Sequence, residues 1–276
     1  MKQNLAIAAL GSVAVAAGGA NDEQAVNDLI PKLADAKVEN RYSAQMALQD
    51  IASNASKPGN RAAREALGKV LAAKAADSSV PQPARVWIVR QLENMGGAEA
   101  VGALTKVMNG EDAELRECAR RALEKNSAPA ATAPLRAALE KASDATWRIG
   151  LMNSLGQRGD ARSVKLMAAG LGDVKTAPAA ALALGNIANA PAVEALWGAL
   201  NRTPEAGEAL IVVANQMKAK GDAAAARAIY ERVAKEAKSK SLRAAAESGL
   251  KAPEAKAAEK KKGKRVVVGK HELLPK

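Results

Sequence analysis

The 276-residue chain contains no Phe, only three Trp and two Tyr, one Cys and one His. So few aromatics argue against strands, which favour aromatic and β-branched side chains. The lone Cys118 permits no internal disulfide, so the fold must rest on packing. It stands beside Ala119 on the small-residue side of its segment and reads as a buried structural thiol rather than a nucleophile. With His271 as the single histidine, no His pair, His–Glu metal box or Ser–His–Asp arrangement can be assembled within one chain. Asp and Glu are plentiful, but their spacing identifies no pair for acid/base work, and Gly-rich phosphate motifs are missing. No catalytic residue, cofactor or metal is therefore expected. The longest apolar run, Leu5 to Ala17, has thirteen residues, too few to span a bilayer, and no other run is apolar for long enough to cross one.

What the chain has in abundance is alanine, 67 of its 276 residues, the best helix former and one that lets helices approach closely. By length alone two compact domains are possible. A repeat argues instead for one elongated domain. Apolar anchors fall at Leu48, Leu92, Leu123, Leu155, Leu184, Met217 and Leu250, mostly about thirty residues apart. Four positions before each stands a mostly small residue: Ala44, Ile88, Ala119, Leu151, Ala180, Val213 or Ala246. Seven positions before, five of the seven carry arginine, namely Arg41, Arg85, Arg116, Arg148 and Arg243, while Ala177 and Leu210 replace it in the others. Offsets of four and seven share one side of a helix, so the pattern predicts stacked helix pairs. Gly and Asn/Asp mark the turns at Met95-Gly96-Gly97, Asn109-Gly110, Arg158-Gly159-Asp160, Gly172-Asp173 and Lys220-Gly221-Asp222. The wide first spacing contains Ser56-Lys57-Pro58-Gly59-Asn60, read as a longer loop inside the second unit.

Stretches such as Leu115–Leu123 and Trp147–Gly156 resemble the second helix of HEAT repeats, over roughly residues 22 to 250. The resemblance implies an all-α superhelix, a HEAT/ARM-like solenoid of about seven helical hairpins, with second helices lining a concave face. In that family an aspartate six residues before the arginine often builds a ladder between repeats. Asp35 before Arg41 fits, but Gly110, Ala142 and Ala237 occupy the equivalent places. The last unit, with Gly221-Asp222-Ala223 and Ala228-Ile229-Tyr230, also resembles a tetratricopeptide hairpin. Metal-dependent HEAT enzymes need several histidines, which this chain lacks. HEAT-like DNA glycosylases use Trp and Asp on a basic surface, and Trp147 with Asp144 and Arg148 is a superficial match. Trp147, Trp87 and Trp197 read instead as core.

The two ends differ from the repeats. Lys2, the uncharged run Leu5 to Ala17 and Gly18-Gly19-Ala20 follow the order of a secretory leader, predicting a signal peptide over 1–20 and a periplasmic or secreted protein. Cleavage after Ala20 is expected, with Ala14-Val15-Ala16 as the alternative. The solenoid then covers 21–250. From 251 to 276 nine Lys or Arg face three Glu, half of the formal +12. That segment reads as a disordered basic tail, either a solvated extension or, through Lys260, Lys261, Lys262, Lys264 and Arg265, an attachment to a polyanion: an acidic polymer, an anionic membrane surface or nucleic acid.

Two and six residues before the anchors, side chains point away from the buried stripe. Those positions include Arg90, Arg121, Ile149, Asn153, Leu182, Ile211 and Asn215, with Arg120 beside them. Apolar residues next to arginines suit a protein or peptide ligand, although packing between repeats would explain the same apolar residues. The expected function is a non-catalytic protein-binding scaffold or adaptor, with polyanion binding through the tail as the alternative. No small-molecule substrate is inferred.

Overall fold

The computed structural model describes residues 20–252; all but the last residue of the expected signal peptide, 1–20, and nearly all of the basic segment 251–276 lie outside the described residues. Fourteen α-helices follow one another, with two short 3-10 turns, and no strand occurs among the described residues. The first five pairs are α1 (Ala20–Leu33) with α2 (Val38–Ala55), α3 (Arg61–Ala76) with α4 (Gln82–Met95), α5 (Ala98–Met108) with α6 (Ala113–Lys125), α7 (Thr132–Lys141) with α8 (Ala145–Gln157), and α9 (Val164–Gly170) with α10 (Ala177–Ile187). They are followed by α11 (Ala190–Ala199), α12 (Pro204–Ala219), α13 (Ala223–Glu236) and α14 (Lys240–Lys251). The fold is all-α and solenoid-like. The chain groups into two compact units, Met1–Ala209 and Leu210–Lys276, with the boundary inside α12.

In the first unit α2, α4, α6, α8 and α10 each pack on the next, as do α1, α3 and α5, so every pair closes its apolar stripe against its neighbour. Leu48, Leu92, Leu123, Leu155 and Leu184 are all fully buried, as are the smaller residues four positions before them. Helix starts are set by short polar side chains. Asp112 accepts from the Leu115 N–H at 2.8 Å, Asp144 from that of Trp147 at 2.7 Å, and Asn189 from that of Ala192 at 2.9 Å. Gly159, in the left-handed region at φ 64°, turns the chain after α8. The segment 56–60 does not lie inside the second pair. It joins α2 to α3, and the wide first spacing comes from long helices, 18 residues in α2 and 16 in α3.

The second unit contains the end of α12 and the pair α13/α14. Val213 and Ala246 are buried, while Met217 and Leu250 are half-buried. Tyr230 is buried, and its hydroxyl donates to Asn215 Oδ1. A Cβ at Gly249 would meet its ring at 2.4 Å, so only glycine admits this packing.

Three of the five arginines seven positions before the anchors, Arg41, Arg85 and Arg243, bond backbone carbonyls. Arg41 Nη1 donates to the carbonyls of Asp35 at 2.7 Å and Ala36 at 2.9 Å, and Arg243 Nη1 repeats this on Ala237 at 2.7 Å and Lys238 at 2.8 Å. Arg85 Nε reaches the Ala75 carbonyl at 2.8 Å. The incomplete Asp–Arg ladder read from the sequence is replaced here by bonds to main-chain oxygens. The Asp35 carboxylate accepts from the Lys37 N–H and Asn40 Nδ2, contacts that hold its pKa below the usual carboxylate range. A backbone acceptor needs no particular side chain, which is why Ala237 serves as well as Asp35.

Between α8 and α9, Arg136 forms a bidentate pair with Asp160 at 2.7 and 2.9 Å, and Ser163 Oγ donates to the same carboxylate. Burial pushes the Asp160 pKa up, but these bonds outweigh it and leave the carboxyl below its ordinary value. A depressed folded-state pKa adds stability above the unfolded value of about 3.9, lost as pH falls through the folded value. Melting temperature should therefore drop on acidification below about pH 4. Asp160→Asn should flatten that dependence, and an unchanged acid slope would remove Asp160 from the account.

The same region gives a packing test. At Gly156 a Cβ would lie 2.7 Å from Ala183 Cα, so the approach of α8 to α10 is set at backbone distance. Gly→Ala in a helix normally gains about 1 kcal/mol, whereas overpacking costs about 1–3 kcal/mol. Because the obstacle is main chain, Gly156→Ala should destabilise in denaturant melts despite its better propensity. Leu155→Ala should lose about 2–5 kcal/mol.

Candidate functional site

On the α4 surface, Trp87, Arg90 and Glu93 succeed one another at i, i+3 spacing and share one flank of the helix. Leu92 and Ile88 turn inward, leaving this flank to face a cleft of about 660 Å³. Its far walls come from Gln49 and Ser53 of α2 and from Arg121 of α6. Trp87 is half-buried and its Nε1–H donates to the Gln45 carbonyl at 3.2 Å, which fixes the indole. Trp87 and Arg90 also wall a second cleft of about 390 Å³, reached by Arg41 and Glu114.

The charges in the main cleft are incompletely matched. Arg90 has its guanidinium 5.7 Å from the Trp87 ring centre and its nearest carboxylate, Glu114, at 3.9 Å. Arg121 meets Glu93 at 3.9 Å, and its enclosed Nε makes no hydrogen bond. Glu93 is held from outside the cleft by Lys125 Nζ at 2.5 Å. Long, half-exposed ion contacts of the Arg90 type are worth about 0–1 kcal/mol, so both guanidiniums remain available to a ligand.

Of the residues expected to form a binding face, Arg90 and Arg121 are brought together in this cleft. Arg120 corrects the expectation: it is buried, one residue and about 100° of helix rotation away from Arg121. Its guanidinium donates to Glu117, Glu124, Ser154 Oγ and the Gly150 carbonyl, tying α6 to α8. Burial pushes its pKa down, and the two carboxylates more than reverse this. Ile149 and Asn153 are half-buried on α8, the latter with an enclosed Oδ1 that makes no hydrogen bond. Leu182 is 51 % exposed on α10. None of these three lines the main cleft. Ile211 and Asn215 belong to the second unit, where Asn215 is engaged by Tyr230. Lys260, Lys261, Lys262, Lys264 and Arg265 lie outside the described residues.

Sequence reasoning placed Trp87 in the core and overlooked Gln49, Ser53, Glu93 and Asn94. Trp87 stands three residues before Arg90, and that i, i+3 relation was the available signal. Trp147 is half-buried beneath Arg116, whose guanidinium lies 4.6 Å from its ring centre. Asp144 is spent on capping the Trp147 N–H. These two residues therefore serve a helix cap and a stacking contact. Cys118 is buried, as expected. Among the described residues no group of His, Cys, Asp and Glu is placed to hold a metal, and no helix is long and apolar enough to cross a membrane.

No protein-family model and no curated protein matches the chain. Solved structures similar to it include a designed armadillo repeat protein in complex with peptide (KR)4, 16 % identical, covering 82 % of this chain and 98 % of that one, with TM-score 0.39. A second designed armadillo repeat protein has the same identity and coverage with TM-score 0.38. Human deoxyhypusine hydroxylase in complex with glycerol is 18 % identical, covering 83 % and 96 %, with TM-score 0.33.

The contrast between adjacent arginines is testable by stability alone. Arg120→Ala breaks a buried ion network and should cost about 3 kcal/mol, whereas Arg121→Ala should cost less than about 1 kcal/mol. Equal losses in urea melts would show that both side chains serve the fold.

Proposed function

We propose that this chain is a non-catalytic helical-repeat scaffold that binds a protein or peptide on the face formed by its second helices. The observation that carries this reading is the 660 Å³ cleft, whose lining brings together a Trp87 fixed by its indole N–H, Arg90 and Arg121. Interface centres are enriched in Trp and Arg, because a rigid ring and a planar guanidinium give contact area and directed hydrogen bonds together. Its one carboxylate, Glu93, is engaged by Lys125 and offers no free base. Export to the periplasm or exterior belongs to the same proposal and rests on the apolar run Leu5 to Ala17.

A photoreactive residue at Asn94, in the cleft, should crosslink a partner in the native compartment, while one at exposed Lys69 on α3 should not. Arg90→Glu with Arg121→Glu should suppress that capture at unchanged melting temperature. Truncation after Ala252 should leave it intact; this end preserves the bonds from Lys218 Nζ to the Gly249 and Ala252 carbonyls. Capture that vanishes with the tail, ignores both arginines and collapses in salt assigns binding to a polyanion instead.

A further inference from the structure

The charged residues lining the main cleft are Arg90, Arg121 and Glu93, with no lysine among them. Glu93 is only 14 % exposed and its charge is already answered by Lys125 Nζ at 2.5 Å. The two arginines are 45 % and 41 % exposed, and each has its nearest carboxylate at 3.9 Å, beyond a charge-assisted hydrogen bond. The Arg121 Nε–H makes no hydrogen bond, and its Nη2 contact to Cys118 Sγ is 3.6 Å long. The cleft therefore presents two guanidinium forks short of acceptors in one lining with a half-buried indole. Gln49, Ser53 and Asn94 add neutral groups able to bond a peptide main chain.

Resting on the scaffold reading above, we propose that this cleft takes an acidic peptide segment, with carboxylate side chains received by Arg90 and Arg121 and a neighbouring apolar side chain laid against Trp87. Guanidinium matches carboxylate in a planar, bidentate geometry, and the electrostatic balance of the lining favours a negative ligand. A nucleic-acid backbone fits less well. It is held by a row of cations along its phosphates, whereas here two arginines share the lining with a carboxylate and a ring.

The test uses the full chain and three fluorescein-labelled octapeptides, alternating Leu with Glu, Leu with Gln, or Leu with Lys, with affinity read by anisotropy at 0.15 M salt. The Leu/Glu peptide should bind at least about fivefold tighter than the Leu/Gln peptide, the size expected from two partly exposed ion pairs. Arg90→Gln with Arg121→Gln should abolish that difference at unchanged melting temperature, and the double Glu variant should favour the Leu/Lys peptide. Because the tail is present throughout, a Leu/Glu preference that survives these substitutions comes from elsewhere and overturns the proposal. Equal binding of all three peptides, or binding of none, overturns it too; the crosslink from Asn94 still decides the scaffold reading separately. A dT oligonucleotide that competes for the arginine-dependent site would assign the cleft to nucleic acid and reject the peptide.

Discussion

Each helix leaves its last four carbonyls without an intrahelical partner, and a chain cut into many short helices multiplies that demand. Alanine-rich layers offer almost no side chains to answer it. Arginine does so from a distance. Arg41, Arg85 and Arg243 reach the carbonyls at the turns before their own helices. Arg64 reaches across from α3 to the Met95 carbonyl at 2.7 Å. Arg158 binds the carbonyls of Leu123, Glu124, Asn126 and Ala128 at 2.6 to 2.9 Å, closing the end of α6 from the following repeat. A cation at a helix C-terminus also opposes the negative end of the macrodipole. The same bond that satisfies a carbonyl therefore fixes the spacing between neighbouring helices.

This use of arginine changes the meaning of the basic composition. A net charge of +12 invites a reading of broad electrostatic attraction, yet many of the cations in the first unit are turned onto their own backbone. Burial lowers the Arg158 pKa, as expected for a cation whose partners are mostly neutral carbonyls. Glu124 shows the same economy of roles, pairing with Arg120 while its main-chain carbonyl accepts from Arg158. What remains on the second-helix face is a small, specific set of charges. Specificity is favoured by that arrangement more than raw attraction is.

The helical repeat was legible because burial follows helical geometry directly: every residue placed four before an anchor is buried, and so are the first five anchors. Leu250 is half-buried in the last turn of the final described helix, where no further described helix follows to cover it. Less legible was what each arginine binds. Backbone carbonyls leave no trace in residue identity, so the substitution of Asp35 by Ala237 at the equivalent place looked like a broken ladder. The site was half legible for a related reason. Offsets from an anchor give the direction of a side chain, and they found Arg90 and Arg121, but they do not give the depth to which the next helix covers it. Arg120 lies within that cover and Arg121 outside it.

Direction along the helix also explains how one residue type can bond the backbone at one place and line a cleft at another. An arginine seven positions before the anchor lies within about 20° of it, beside the apolar stripe, where its stem is packed and its head meets the turn. One two positions before lies about 160° away, on the opposite flank. Arg85 and Arg90 of α4 occupy these two places, the first bonded to the Ala75 carbonyl and the second open beside Trp87. Substitution at the second place changes the lining of the cleft while the carbonyl contact at the first stays intact. Such separation lets the outer flank vary between repeats while the stack keeps its spacing; in α6 the arginine seven before the anchor, Arg116, departs from the carbonyl role and lies over the Trp147 ring at 4.6 Å, while Arg121 faces the cleft.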